Sequence, residues 1–171
     1  MNYFPEIDFL VHRIISIFST MKIQFEYYLI AIFSIFVGSQ ITEGFLLIPY
    51  WQTLSASEFY SYYEKFGHTI DRFYTILTLT AVLIPIALTL HYLRTKTHKI
   101  RLALISSIFA ILFVSCFYLY FKDTNELFYQ SAFSDIDLKT ELVTYSKWHN
   151  ARIFLEILSL IFLIMSVSKN K

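Results

Sequence analysis

The chain has 171 residues, 56% of them hydrophobic and only 16% charged, with a net charge of +1. A water-soluble domain carries about 25% charged residues, so this balance indicates a single integral membrane domain over the whole chain and excludes a basic nucleic-acid surface. The single cysteine, Cys116, excludes an intramolecular disulfide, a CxxC redox pair and a cysteine-based zinc site.

The first residues, MNYFPEID, lack the basic start of a cleavable signal peptide. Ile7, Leu10, Val11, Ile14, Ile15 and Phe18 then make a helical stripe, with Asp8, His12 and Arg13 elsewhere on the surface. That pattern predicts a short amphipathic helix over 7–18 lying on the membrane. Met21 is an alternative start, since MKIQFEYYLIAIF also reads as a natural beginning.

A spanning helix needs about 20 mostly apolar residues. Four stretches meet this, roughly 27–51, 70–93, 100–121 and 150–168. Short links force neighbouring helices to run in opposite directions. The expected fold is therefore all-α, an integral membrane antiparallel four-helix bundle with short amphipathic helices in the outer links. In the first of these, LSASEFYSYYEKFG, Ser55-x-x-Glu58 is a capping box. Phe59, Tyr62, Tyr63 and Phe66 follow at helical spacing, and Gly67 is the expected stop. Its tyrosines suit a collar in the headgroup layer. The second outer link, about 122–149, contains a helix from about Asp135 that runs into the fourth span. There Leu138, Leu142, Tyr145, His149, Arg152 and Glu156 share a face that turns from apolar to charged.

Arg13, Lys22, Arg94, Lys96, Lys99, Arg101, Lys169 and Lys171 fall on one side of such a bundle. Lys65, Arg72, Lys122, Lys139, Lys147 and Arg152 fall on the other, in much longer links. The positive-inside rule then places both termini in the cytoplasm, and the expected home is a bacterial inner membrane with lipid as the main partner.

Ionisable groups within spanning helices are expensive and usually face the interior. Gln40 and Glu43 lie three apart near the outer end of the first span. His68, Asp71 and Arg72 open the second, and Thr75 and Thr78 continue the Asp71 face. His149, Asn150, Arg152 and Glu156 open the fourth, with Ser159 beyond. Three helices thus bring ionisable groups to one depth. Arg152 can fork two carboxylates, Glu156 one turn away and Glu43 from the first helix. A neutral histidine beside an Arg-paired carboxylate offers acid–base chemistry near neutral pH. Aromatic walls would admit a flat, hydrophobic small molecule from the lipid. The competing reading is that the charges only hold the helices in register.

No Glu-x-x-His pair is present, and Arg152 between His149 and Glu156 would repel a divalent ion, so no metal site is expected. The inner halves of the second and third spans supply no acid or base, which argues against a proton path. His12, His91 and His98 read as surface residues, and Cys116 as a packing residue.

Three features carry a resemblance. The first helix holds Gly38 and ends at a proline in FVGSQITEGFLLIPYW, with Pro49. The second has an inner proline, Pro85. The loop before the fourth holds Asn125 and leads into KWHNARIFLEI, with Trp148, His149 and Arg152. The layout resembles the anthrone oxygenase-like family of small four-helix membrane proteins, most of whose members have no assigned function. That family's loop commonly carries Asn-x-Pro-x-Asn, whereas KDTNELFYQ offers only Asn125. The resemblance implies oxygenation of a polycyclic phenolic carbon acid, anthrone to anthraquinone, with O₂ and no cofactor. In that chemistry His149 would be the base and Arg152 the partner of the developing oxyanion, with Glu156 and Glu43 orienting them. Trp148, at the entrance, and Gln40, Asn150, Asp71 and Asn125 would hold the substrate. The alternative is a non-enzymatic membrane protein, a binder of lipid or quinone or a partner subunit, whose charges are structural.

Overall fold

A computed structural model describes the backbone of residues 5–168 and the side chains of residues 24–168. The stripe expected at 7–18, and Arg13, Lys22, Lys169 and Lys171, lie outside the described side chains. All described secondary structure is helical. Four helices are long and apolar enough to cross a membrane, Gln24–Thr53, Ala56–Arg94, Ile100–Tyr129 and Asp135–Ser168.

The first span joins α1 (Pro5–Thr42) to α2 (Ile48–Thr53) through a π-helical turn at Glu43–Leu47. Pro49 lacks the N–H that would reach the carbonyl of Phe45, and the helix widens just ahead of it. A two-residue extended link, Leu54–Ser55, leads into α3 (Ala56–Arg94). The capping box is formed as expected, with Ser55 N donating to Glu58 Oε2 at 2.9 Å and Glu58 N to Ser55 Oγ at 3.4 Å. Asp135 Oδ1 takes the Ala56 N–H at 2.7 Å, fastening the start of α6 to the start of α3.

The separate link helix ending at Gly67 is corrected. Residues 56–94 are one helix, Gly67 lies inside it with helical backbone, and no glycine has positive φ. A glycine serves there because Tyr129 packs on it, and an added Cβ would lie 3.0 Å from the Tyr129 hydroxyl. Similarly, residues 122–129 are not a loop. A second π-turn, Phe117–Phe121, joins α4 (Ile100–Cys116) to α5 (Lys122–Tyr129) within the third span. The helix expected from about Asp135 is present as α6, Asp135–Ser168.

One end of the molecule, the hairpin end, holds the tight link between α3 and α4, where Lys96 takes φ 51°. The other, the collar end, holds the links between α2 and α3 and between α5 and α6. Small buried residues on α4, Ala103, Ser106 and Ala110, let α6 approach closely. Ser106 Oγ donates to the Ser159 carbonyl at 2.8 Å and Ser159 Oγ returns a bond to the Ser106 carbonyl at 2.9 Å. An apolar core containing Phe33, Phe36, Leu88, Phe113 and Leu163 fills the hairpin half. An aromatic core containing Trp51, Phe59, Tyr63, Phe121, Phe128 and Tyr145 fills the collar half. Rings meet there edge to face, as for Trp51 on Phe59 at 5.9 Å and Phe59 on Phe128 at 5.0 Å.

The hairpin half contains an ion pair that the sequence reading missed. Lys99 Nζ lies 3.2 Å from Glu26 Oε2, Tyr92 donates its hydroxyl to Glu26 Oε1 at 2.9 Å, and Lys99 also donates to the Val167 carbonyl at 3.4 Å. A signal was available. Glu26 shares the helical face of Phe33, Phe36, Gln40 and Glu43, at steps of seven, three, four and three.

Candidate functional site

On α1 and α6 the two cores are separated by a polar layer. In the first span it is Gln40 on α1 and Glu43 at the start of the π-turn, and on α6 His149, Arg152 and Glu156. Arg152 is its centre. Its Nη2 donates to Gln40 Oε1 and, at 3.1 Å, to His149 Nδ1. The same nitrogen is 3.6 Å from Glu43 Oε2, and Nε is 3.6 Å from Glu156 Oε1. The guanidinium carbon stands 4.7 Å from the centre of the Phe121 ring, a cation–π contact.

His149 is completely buried, and both ring nitrogens are engaged. Arginine only donates, so Nδ1 accepts, and Nε2–H of the neutral imidazole donates to the Gln40 carbonyl at 2.9 Å. The ring fits because residue 44 is glycine. A Cβ at Gly44 would lie 3.0 Å from His149 Cδ2 and 3.1 Å from Ile153 Cδ1. A ring tethered at both nitrogens cannot step aside, so Gly44→Ala is expected to cost about 1–3 kcal/mol. Thermal unfolding in detergent checks this. Gly38→Ala serves as the control and should unfold no earlier than the parent, since its Cβ meets nothing within 4 Å.

The opposite edge of the layer faces a cavity of about 380 Å³. Glu43, Asp71, Asn125, Arg152 and Glu156, all expected at a site, line it. Gln40 and His149 stand behind Arg152, off the cavity wall. Trp148 stacks on Tyr120 at 5.2 Å, nearly parallel, and Asn150 is exposed, and neither lines the cavity. Asp71 accepts the Tyr129 hydroxyl at 2.6 Å. Arg72 is exposed, and His68 stacks on Tyr129 at 4.5 Å.

The rest of the wall is aromatic and aliphatic. Trp51, Tyr63, Tyr74, Tyr145, Phe121 and Tyr129 contribute to it, none of them assigned to a site from the sequence. Tyr145 was within reach, because it lies on the face that carries His149 and Arg152. Tyr63 was assigned to the headgroup layer because helical spacing does not say which side of a tyrosine-rich helix turns inward.

Several buried polar atoms at this site have no hydrogen-bond partner. They are Glu43 Oε2, both Glu156 carboxylate oxygens, Arg152 Nε, Asn125 Oδ1 and Trp51 Nε1. At 3.6 Å the carboxylates are held by charge but not hydrogen-bonded to the guanidinium. Orphaned polar groups of this kind are rare in interiors, and a water, an ion, a ligand or a catalytic role accounts for them where they occur. Among the described residues no three His, Cys, Asp or Glu side chains lie close enough to hold a metal ion.

No family model matches the chain, and no curated protein or solved structure is detectably similar to it.

Proposed function

We propose that this chain is an integral membrane antiparallel four-helix bundle whose collar-half cavity binds a hydrophobic aromatic molecule and carries out acid–base chemistry on it. The observation that carries this is the cavity bounded by Glu43, Arg152 and Glu156, where Glu43 Oε2, Arg152 Nε and both Glu156 oxygens make no hydrogen bond. The pair at the hairpin end provides the contrast. Glu26, Lys99 and Tyr92 bond to one another and leave none of their buried side-chain atoms without a partner. That is what a structural weld looks like in this chain, and the collar-half cluster differs from it.

The reaction that fits is the cofactor-free oxygenation implied by the resemblance. A carbon acid gives its proton to a carboxylate, the aromatic enolate reacts with O₂ to a hydroperoxide, and loss of water leaves the ketone. Anthrone and O₂ thus become anthraquinone and water. Glu156, with both oxygens unpartnered on the cavity wall, takes the base role that the sequence reading gave to His149. Arg152 stands where a cation can stabilise the developing oxyanion. His149 and Gln40 fix the guanidinium from behind. Asp71 and Asn125 contact the substrate's polar edge. The spread of lysines and arginines along the sequence supports cytoplasmic termini in a bacterial inner membrane.

The second reading is a non-catalytic binder of lipid or quinone. It is favoured by the four side chains that Arg152 already engages, which knit α1 to α6. Protein purified in detergent and given anthrone is expected to consume O₂ in a one-to-one ratio with anthraquinone formed, faster than autoxidation. Binding of anthrone with no rate above autoxidation would leave the binder reading in its place.

A further inference from the structure

We infer that the cavity is entered sideways, through a mouth between α3 and the α4–α5 helix, and that its occupant is a hydroxyl-bearing amphiphile dissolved in the bilayer. This rests on the binding reading above and names the class and route of the ligand. Residues that both line the cavity and are exposed mark where it opens. They are Thr75 and Leu79 on α3, facing Phe117 and Tyr118 on the π-turn and, at the collar end, Lys122 and Glu126 on α5.

The mouth is bounded at both ends. Toward the hairpin, the Thr89 and Ser107 hydroxyls meet at 2.9 Å. Toward the collar, Tyr129 spans the gap through its 2.6 Å bond to Asp71 and its stack on His68. Tyr129 and Glu126 also line a second groove, with Ser61 and Glu64, so the two lie between that groove and the cavity. Away from Lys122 and Glu126 the exposed residues flanking the mouth are mostly apolar, with Phe73, Ile76 and Leu83 on α3, and Ile111, Leu112 and Leu119 opposite. A molecule already in the bilayer meets this apolar part of the opening directly, with Lys122 and Glu126 at its collar end.

The shape of the slot fixes the kind of molecule. Asp71, Thr75, Thr78 and Val82 follow one face of α3, and Val114, Phe121, Asn125 and Tyr129 run along the opposite wall. The slot is therefore elongated along the helices. Along α3 and the α4–α5 helix its deep end, at Val82, Phe113 and Val114, is apolar and its collar end, at Asp71, Asn125 and Tyr129, is polar, while Glu43, Arg152 and Glu156 face it from the first span and α6. An amphiphile with its tail toward the bilayer centre fits this gradient. Glu43 Oε2, both Glu156 oxygens and Asn125 Oδ1 are acceptors without donors, and Arg152 Nε and Trp51 Nε1 are donors without acceptors, so a head that both donates and accepts, as a hydroxyl does, fits them.

The probe is para-decylphenol with a diazirine at the end of its tail, photolysed with the protein in liposomes and mapped by peptide mass spectrometry. Label is expected at Val82, Phe113 or Val114. It should be lost in a Thr75→Trp, Leu79→Trp double variant, whose indoles plug the mouth. It should persist in Leu83→Trp, an exposed position that does not line the cavity. The water-soluble 4-hydroxybenzenesulfonate should not compete. Cavity labelling that persists in the plugged variant, or yields to the sulfonate, overturns the lateral route while leaving the cavity a binding site. Labelling of the outer surface alone in the parent protein overturns both.

Discussion

Arg152→Met is expected to lower stability in detergent by about 3–5 kcal/mol, and adding Glu43→Gln and Glu156→Gln should recover most of that loss. Arg152 is the cation within ion-pair distance of both carboxylates, at 3.6 Å from each. Both carboxylates are buried, Glu156 completely. Removing the guanidinium strands two negative charges in a medium that solvates neither. Breaking a buried pair from one side is costly for this reason, whereas replacing the whole group by neutral residues is often tolerated. Arg152→Lys should rescue little. One ammonium cannot serve Gln40, His149, Glu43 and Glu156 at once, and it loses the planar contact with Phe121. The comparison needs only unfolding midpoints of four proteins in one detergent. A single Arg152→Met variant as stable as its parent would mean that the carboxylates do not depend on it, and the charged layer would lose its centre.

That layer was legible in the sequence to an informative degree. Charge within an apolar helix is conspicuous, and steps of three and four put His149, Arg152 and Glu156 on one face, which the structure turns inward. Glu43 and Asp71 could be assigned to the same wall because each lies near the same end of its helix. Periodicity gives a face but not a neighbour. Thus it could not show that His149 has both nitrogens occupied, or that Trp148 stacks on Tyr120 rather than lining the cavity. Asn150 is one position past His149, and 100° of helical rotation carries it to the outside. The spans were found near their observed places because apolar composition is additive along a chain. Their ends were drawn short. The polar and tyrosine-rich turns at 56–69 and 122–129 continue the helices, although their composition resembles that of links. The two π-turns left no readable mark beyond Pro49, since widening a turn by one residue alters the register and not the composition.

Glu156→Gln should separate the two readings of the site by the largest margin. The substitution keeps volume and helix and removes only the charge. In the parent protein the Glu156 carboxylate is fully buried, accepts no hydrogen bond at either oxygen, and relies on one guanidinium that Glu43 shares. Desolvating such a group costs several kcal/mol, and a shared cation at 3.6 Å returns part of it. A neutral amide escapes that cost, and Arg152 retains Glu43, Gln40 and His149. Stability is therefore expected to stay level or rise by about 1 kcal/mol, as happens when a residue kept for function is replaced. Turnover should move the other way. An amide cannot take a proton from carbon, so O₂ consumption with anthrone should fall by about 10²–10⁴-fold, the usual range for loss of a general base. Both quantities come from one preparation, by a melting curve and an oxygen electrode. If the variant instead unfolds earlier by the equivalent of about 3 kcal/mol and turns over as before, the carboxylate is a weld like Glu26. The proton acceptor must then be sought at Glu43, Asp71 or Glu126, the other carboxylates that line the cavity.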